Sequence, residues 1–591
     1  MGLFLKSITI STSLILCIIP NSVLATQKLL ALNPKPYLIA EGGLQENLKD
    51  FGYWLNLCDL QSESGKYEEA LSACEQAITV KPKNPIAWAN HSGILLQLKK
   101  YPDAIASASK SLQLSEKNSL ALTYKCMAFE ALGKNETALD ECNKALKVDG
   151  NWGTKSPKLA WRHRGVILTK TGKYELAKVA FARTLLVEPK NSLTLAYRCQ
   201  IENKLGQFKQ AISSCNKALK GNGDWGNENK TLALRNRAEA NTRLNKFNQA
   251  IADYDRLLAV NPKDAVAWGA QGMLLEKLAQ YSDALASYEQ AIAFKPDYSL
   301  ALVGRAAVLN KDKQYEEALK ASEAALKGDG DWQVMGVAQA WNEKGAALIG
   351  LKKYKAALAA TNRAVGIKSY YPEAWNNRGV ALWHLEEYSQ ASASTQKAIA
   401  LNPRYPQALL NQARIFSKRA LYRKALGFYD KAISIEPLNY QGWINHGVTL
   451  WHLKRYREAL NSINKAISID YKAFEAWYNR GLILTSMYQH KKALKAYKQA
   501  SKINPESAAA VTGQGISLTK LKQYPKAIAA FKAALELNPE QRVAKVTLKK
   551  VVKLQEEEAK KKAEQEKKKK AEEAKKKAEQ EKNKQERGKR G

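Results

Sequence analysis

Residues 372–405 read PEAWNNRGVALWHLEEYSQASASTQKAIALNPRY, and the next stretch, 406–439, reads PQALLNQARIFSKRALYRKALGFYDKAISIEPLN. Laid over one another, Leu382 meets Phe416, Tyr388 meets Tyr422, Ala391 meets Ala425 and Ala398 meets Ala432. The alanine at position 20 of this 34-residue frame recurs along the chain: Ala70, Ala104, Ala138, Ala177, Ala211, Ala250, Ala284, Ala318, Ala357, Ala391, Ala425, Ala459, Ala493 and Ala527. Fourteen units follow. Units 1–3 fill 51–152, units 4 and 5 fill 158–225, units 6–8 fill 231–332 and units 9–14 fill 338–541. Three five-residue inserts separate these blocks, after Trp152, Trp225 and Trp332.

The frame has a physical reading. Apolar residues at positions 4, 11 and 14 have helical spacing, and positions 20, 24 and 27 repeat that spacing in a second segment. Between them Gly65, Gly133, Gly172 and Gly206 stand at position 15, where a helix would stop. Pro at position 32, as in Pro82, Pro262 and Pro539, ends the second segment. Position 8 is always small, from Cys58 and Ser92 to Gly481 and Gly515, so two helices can approach closely there. Each unit is therefore expected to be a helical hairpin. One hairpin cannot bury its apolar face alone, so neighbours must stack.

The register closely resembles the tetratricopeptide repeat family. The resemblance implies an all-α fold: a right-handed superhelix of about fourteen helix-turn-helix repeats, whose first helices line a concave groove. It also implies binding rather than catalysis, with a protein or peptide as partner. In that family position 6 faces the groove, and here Asn377, Asn411, Asn445 and Asn479 occupy it in four consecutive units. An amide offers both donor and acceptor, so such a row resembles the asparagine ladder that some family members use to hold peptide backbone. The same asparagines could equally bond between neighbouring helices. Trp383 and Trp451, at position 12, are the two tryptophans without a core place in the frame, whereas eight others stand at position 4 and three beside the inserts. They are candidate groove anchors, or packing for the next unit. His384 and His452, which follow them, read as solvated.

Six cysteines form three pairs, each sixteen apart at positions 8 and 24: Cys58–Cys74, Cys126–Cys142 and Cys199–Cys215. Residues equidistant from an antiparallel turn lie level on facing helices, within reach of a disulfide. Buried free thiols are the other reading, since cysteine suits a small apolar position. The inserts follow "DGNW", "NGDW" and "DGDW", phrases of turn-forming residues that read as widened turns with a tryptophan plugged over a helix junction. They carry too few carboxylates for a calcium loop.

The ends differ from the middle. Lys6, the apolar run Ile8–Ile19 and Ser22-Val23-Leu24-Ala25 describe a cleaved leader over 1–25, followed by a linker over 26–50. That predicts an exported protein of the periplasm, cell surface or medium, with no transmembrane segment once the leader is gone. Val543, Val546, Leu548, Val551 and Leu554 suit a capping helix over 542–554. Residues 555–591 are a Lys/Glu/Ala-rich tail. The chain has 591 residues and a formal charge of +37, which suits an anionic envelope polymer or lipid surface as alternative partner. Nucleic acid is less favoured for an exported chain. There is no Gly-rich phosphate loop, zinc-spaced Cys/His set or nucleophile–base motif. Catalytic residues, metal and cofactor are accordingly expected to be none.

Overall fold

Each unit folds as two helices because its ends carry the residues that start and stop them. The computed structural model describes residues 50–588 except 149, 154, 227 and 333–335. The expected leader and nearly all of the linker lie outside the described residues. In unit 10 the first helix is Pro372–His384 and the second Tyr388–Leu401; in unit 12 they are Tyr440–His452 and Tyr456–Ile469. The same pairing recurs through all fourteen units, and the described residues contain no strand. Two compact bodies divide the chain, residues up to Pro189 and residues from Lys190. Within each, successive hairpins pack on one another.

Seven of the fourteen first helices begin on a side-chain cap. Asn84 accepts from the N–H of Ile86 and Ala87, Asp264 from Ala267 and Asn439 from Gly442, filling donors that a helix start leaves open. They end on a residue in the left-handed region at position 15, and this holds in all fourteen units. The N–H at position 16 then closes on the carbonyl at position 11, as Glu387 does on Leu382 at 2.9 Å. Glycine fills position 15 in only four units. Elsewhere Ala279, Lys352, Ala420 and Tyr488 hold φ near +60°, a region that costs an L-residue about 1–2 kcal/mol. Ala420→Gly and Lys352→Gly should each stabilise their hairpin by about 0.5–1 kcal/mol. Slower amide exchange around residues 406–435 or 338–367 would register the gain; faster exchange would contradict it.

The core sits between the two helices of each hairpin and the next. All fourteen position-20 alanines are completely buried. Positions 8 and 24 face each other as a pair matched in size. A Cβ on Gly165 would stand 2.5 Å from Phe181, on Gly272 2.7 Å from Tyr288, on Gly481 2.5 Å from Tyr497 and on Gly515 2.7 Å from Phe531. In units 1, 3 and 5 the pair is a disulfide. Cys58–Cys74, Cys126–Cys142 and Cys199–Cys215 are joined across Cα separations of 5.2, 5.3 and 5.3 Å, all six residues fully buried. The position-4 tryptophans tie hairpin to hairpin. Nε1 of Trp88, Trp268 and Trp443 donates to the carbonyl of Pro82, Pro262 and Pro437 at 2.8–2.9 Å. Trp375 and Trp477 reach Ser369 and Tyr471 in the same way. The acceptor is a backbone carbonyl, so position 32 need not be proline.

The inserts share one construction. Asn151, Asp224 and Asp331 each accept, through the backbone carbonyl, from the N–H of Leu120, Leu193 and Leu300. Ser119, Ser192 and Ser299 take the N–H of Gly150, Gly223 and Gly330 on their hydroxyl oxygens. Trp152 packs beside Leu122, and Trp332 beside Leu302. Both leucines stand at position 4, so the insert tryptophan fills space that a position-4 tryptophan covers in other units. At the C-terminus one helix runs from Arg542 to Gly588, 47 residues without a break at 554. Ala544 and Val551 are buried against Leu518 and Phe531 of the last hairpin. Beyond them strong helix formers continue the rod, with Glu558–Lys562, Glu564–Lys568 and Glu566–Lys570 paired one turn apart. Among the described residues no helix is long and apolar enough to cross a membrane.

Candidate functional site

The first helices of units 9–13 present positions 6, 9, 12 and 13 on one face of the second body. Position 6 begins with a residue that sequence reading passed over. Glu343 stands one unit before the four asparagines. Asn310 donates to it at 3.0 Å and Asn342 at 3.1 Å, and burial pushes its carboxyl above the usual range. Asn377 then donates to Asn342 Oδ1 at 2.9 Å, and Asn411 to Asn376 Oδ1 at 2.8 Å. These two amides are bonded between neighbouring helices, through a position-5 asparagine that the spacing alone did not single out. Asn445 and Asn479 make no side-chain hydrogen bond among the described residues and are partly exposed.

Both position-12 tryptophans pack against buried clusters, Trp383 beside Leu382, Ala391 and Ile415, and they differ in what the ring nitrogen meets. Trp451 packs against the cluster of Ile444, Ile463 and Ile483 and donates from Nε1 to Ser486 Oγ at 2.8 Å. For Trp451 this is the second of the two expected roles, packing for the next unit. Ser486 is position 13 of the following unit. Trp383 meets Lys418 at the equivalent place, and an ammonium has no lone pair to accept with. Its Nε1 is accordingly buried without a partner. The Arg414 guanidinium instead lies 4.7 Å over the Trp383 ring, a cation–π contact.

Trp383, Arg414, Lys418, Tyr422, Asn445 and His452 line a cleft of about 230 Å³. Arg414 and Lys418 are exposed, one turn apart on the first helix of unit 11, Pro406–Lys418, and neither has an acidic partner among the described residues. Their neighbours at positions 9 and 13 are Val380, His384, Val448 and His452, so this basic pair was visible in the register. His452 is exposed but stacked on Tyr422 at 4.4 Å, and His384 on Tyr354 at 4.1 Å. Burial lowers the pKa of both imidazoles, with Arg414 adding to the effect on His384. The cleft thus combines an aromatic face, two unpaired cations and an amide. It can hold an extended chain by its backbone and an acidic side chain by charge. Among the described residues no group of three or more His, Cys, Asp or Glu is placed to hold a metal ion.

Family models agree with this architecture. Family models described as tetratricopeptide repeat match residues 372–405 and 474–507, 55–119, 235–299 and 270–334, and 440–472 and 512–541. Among solved structures, the chain is similar to one in the APC/C hetero-tetramer Cut9-Hcn1, at 15% identity and a TM-score of 0.40, over 85% of this chain and 96% of that one. It is similar to YrrB, described as a TPR protein with an unusual peptide-binding site, at 20% identity and a TM-score of 0.29, over 32% of this chain and 99% of that one. A third is MamA, at 20% identity and a TM-score of 0.27, over 29% of this chain and 93% of that one. The repeat register, the paired helices and the matched segments together place this chain in the tetratricopeptide repeat family.

Proposed function

We propose that the protein is a non-catalytic, exported scaffold that takes a protein or peptide segment along the first helices of units 10–13. The observation that carries this reading is the convergence of unpaired groups in one cleft: Trp383 with its unsatisfied Nε1, the cations Arg414 and Lys418, and the Asn445 amide. Asn479 extends the same row by one unit. Export is supported by the three disulfides, since such bonds persist in oxidising compartments, and by the leader-like N-terminus. The test is capture of unstructured peptides by the full chain. Arg414→Ala with Asn445→Ala removes two solvent-facing groups and should weaken capture about 10–100-fold at unchanged helical content. Unaltered affinity would count against this surface.

The formal charge of +37 favours a second reading, in which the chain holds an anionic envelope polymer or lipid surface through its basic exterior. Salt separates the two. Charge-driven capture collapses at high ionic strength, whereas aromatic and amide contacts in the cleft are much less screened.

A further inference from the structure

The first insert folds back across the first body. From the end of unit 3 it carries Lys155 back to the first helix of unit 1, Phe51–Glu63, where Nζ lies 3.6 Å from Glu63 Oε1. The insert thereby closes one side of a cavity of about 310 Å³ between the first helices of units 1–4. That volume is at the lower end of the range of small-molecule sites. A ring forms part of the wall. A Cβ on Gly93 would stand 2.7 Å from Tyr124 Cζ, so only glycine lets that ring lie where it does. Ile94, Met127 and Leu159 supply apolar lining.

The polar lining carries both signs of charge, and Lys155 and Glu63 both act on Asp59. On one side Asp59 receives the Asn90 amide on Oδ1 at 2.8 Å, while Oδ2 has no hydrogen-bond partner. On the other, Arg162 is partly buried and makes no ion pair among the described residues. Lys158, close to Arg162 in sequence, is already bonded to Glu188. Ser156 Oγ, on the insert itself, is buried without a hydrogen-bond partner. One open carboxylate oxygen and one open guanidinium thus face the same small cleft, beside an unsatisfied hydroxyl.

We propose that this cavity is a second ligand site, separate from the groove of units 10–13, and that it takes a small zwitterion of the amino-acid or short-peptide class. The ammonium meets Asp59 Oδ2 and the carboxylate meets Arg162 and Ser156, each through charge-assisted hydrogen bonds. The strap formed by Lys155 and Glu63 suits a compact molecule rather than a chain passing through.

Calorimetric titration of the full oxidised chain tests this, using free amino acids and unblocked dipeptides, each beside its N-acetyl and C-amide forms. The expected result is saturable binding of an unblocked probe, lost at least 10-fold when either end is capped. Arg162→Gln should weaken the unblocked probe by a similar factor but leave the C-amide form unaffected. Asp59→Asn should do the same with respect to the N-acetyl form. Both variants change surface-accessible groups, and unchanged melting would show that they fold. The proposal is overturned if no unblocked probe binds. It is equally overturned if capped and uncapped probes bind alike, or if both variants bind the unblocked probe as the parent does.

Discussion

Opening the two disulfides of residues 50–189 should cost that body about 6 kcal/mol, at about 3 kcal/mol for each loop of this length in the chain-entropy model. The six sulfurs are buried between paired helices, so a reductant acts only through local opening, and partial denaturation is needed to reach them. After reduction, amide exchange in 51–80 and 119–148 should quicken by orders of magnitude. The hairpins of units 9–14, which contain no cysteine, should be little affected, because stability in stacked repeats couples chiefly between neighbours. Loss of the bond can be separated from loss of packing. Unit 2 fills positions 8 and 24 with Ser92 and Ala108, and the Ser92 hydroxyl donates to the Ala104 carbonyl at 2.7 Å. Cys58→Ser with Cys74→Ala copies that natural pair into unit 1 and removes only the cross-link. If this variant exchanges as slowly as the oxidised parent, the bond contributes nothing. Six reactive thiols per chain in material taken from its native compartment would remove both the bond and the support it gives to export.

The fold was legible because its information is periodic. Position 20 admits nothing larger than alanine wherever two hairpins stack, so a count of alanines gives the register. Equidistance from the turn placed each cysteine opposite its partner, because level residues on antiparallel helices share a height. The turn itself was only partly legible. All fourteen units place position 15 in the left-handed region, but only four announce it with glycine, and Glu386 or Tyr488 in that role looks like ordinary helix. The C-terminal rod was divided at 554 in the sequence because its apolar rhythm stops there, yet helix propensity and Glu–Lys pairs carry the helix on.

The candidate site was legible in its rows and not in its pairings. Asn377 and Asn445 look equivalent in the frame. Asn377 is bonded to Asn342 because unit 9 carries an asparagine at position 5; the residue at that place one unit before Asn445 is Leu410, which offers no acceptor. Trp383 and Trp451 differ for the same kind of reason: the residue one repeat onward is Lys418 for one and Ser486 for the other. A repeat frame shows which side chains share a face. Which of them are satisfied depends on the neighbour's identity, and the unsatisfied ones are what a partner can use.

Gly304→Ala should destabilise the second body by about 1–3 kcal/mol through overpacking, although alanine is the better helix former by about 0.5–1 kcal/mol. Its Cβ would stand 2.5 Å from Cε1 and 2.7 Å from Cε2 of Tyr288, with Cζ nearer still. The ring cannot retreat. Gly272 lies against its other contacts, where a Cβ would be 2.7 Å away, and the hydroxyl donates to Glu276 at 3.2 Å. Gly427→Ala is the matched control, exposed in the second helix of unit 11, Tyr422–Ile435, with nothing within 4 Å of a built Cβ. It should stabilise by about 0.5–1 kcal/mol, so one substitution has opposite signs at two helical positions of the same body. In a Tyr288→Ala background Gly304→Ala should turn stabilising as well, which a double-mutant cycle would read as coupling between the two sites. A stabilising Gly304→Ala in the parent would refute the account of the core. The consequence reaches the site. Gly304 is position 6 of unit 8, and the Tyr288 ring behind it forbids any side chain there. The amide row therefore cannot extend through unit 8.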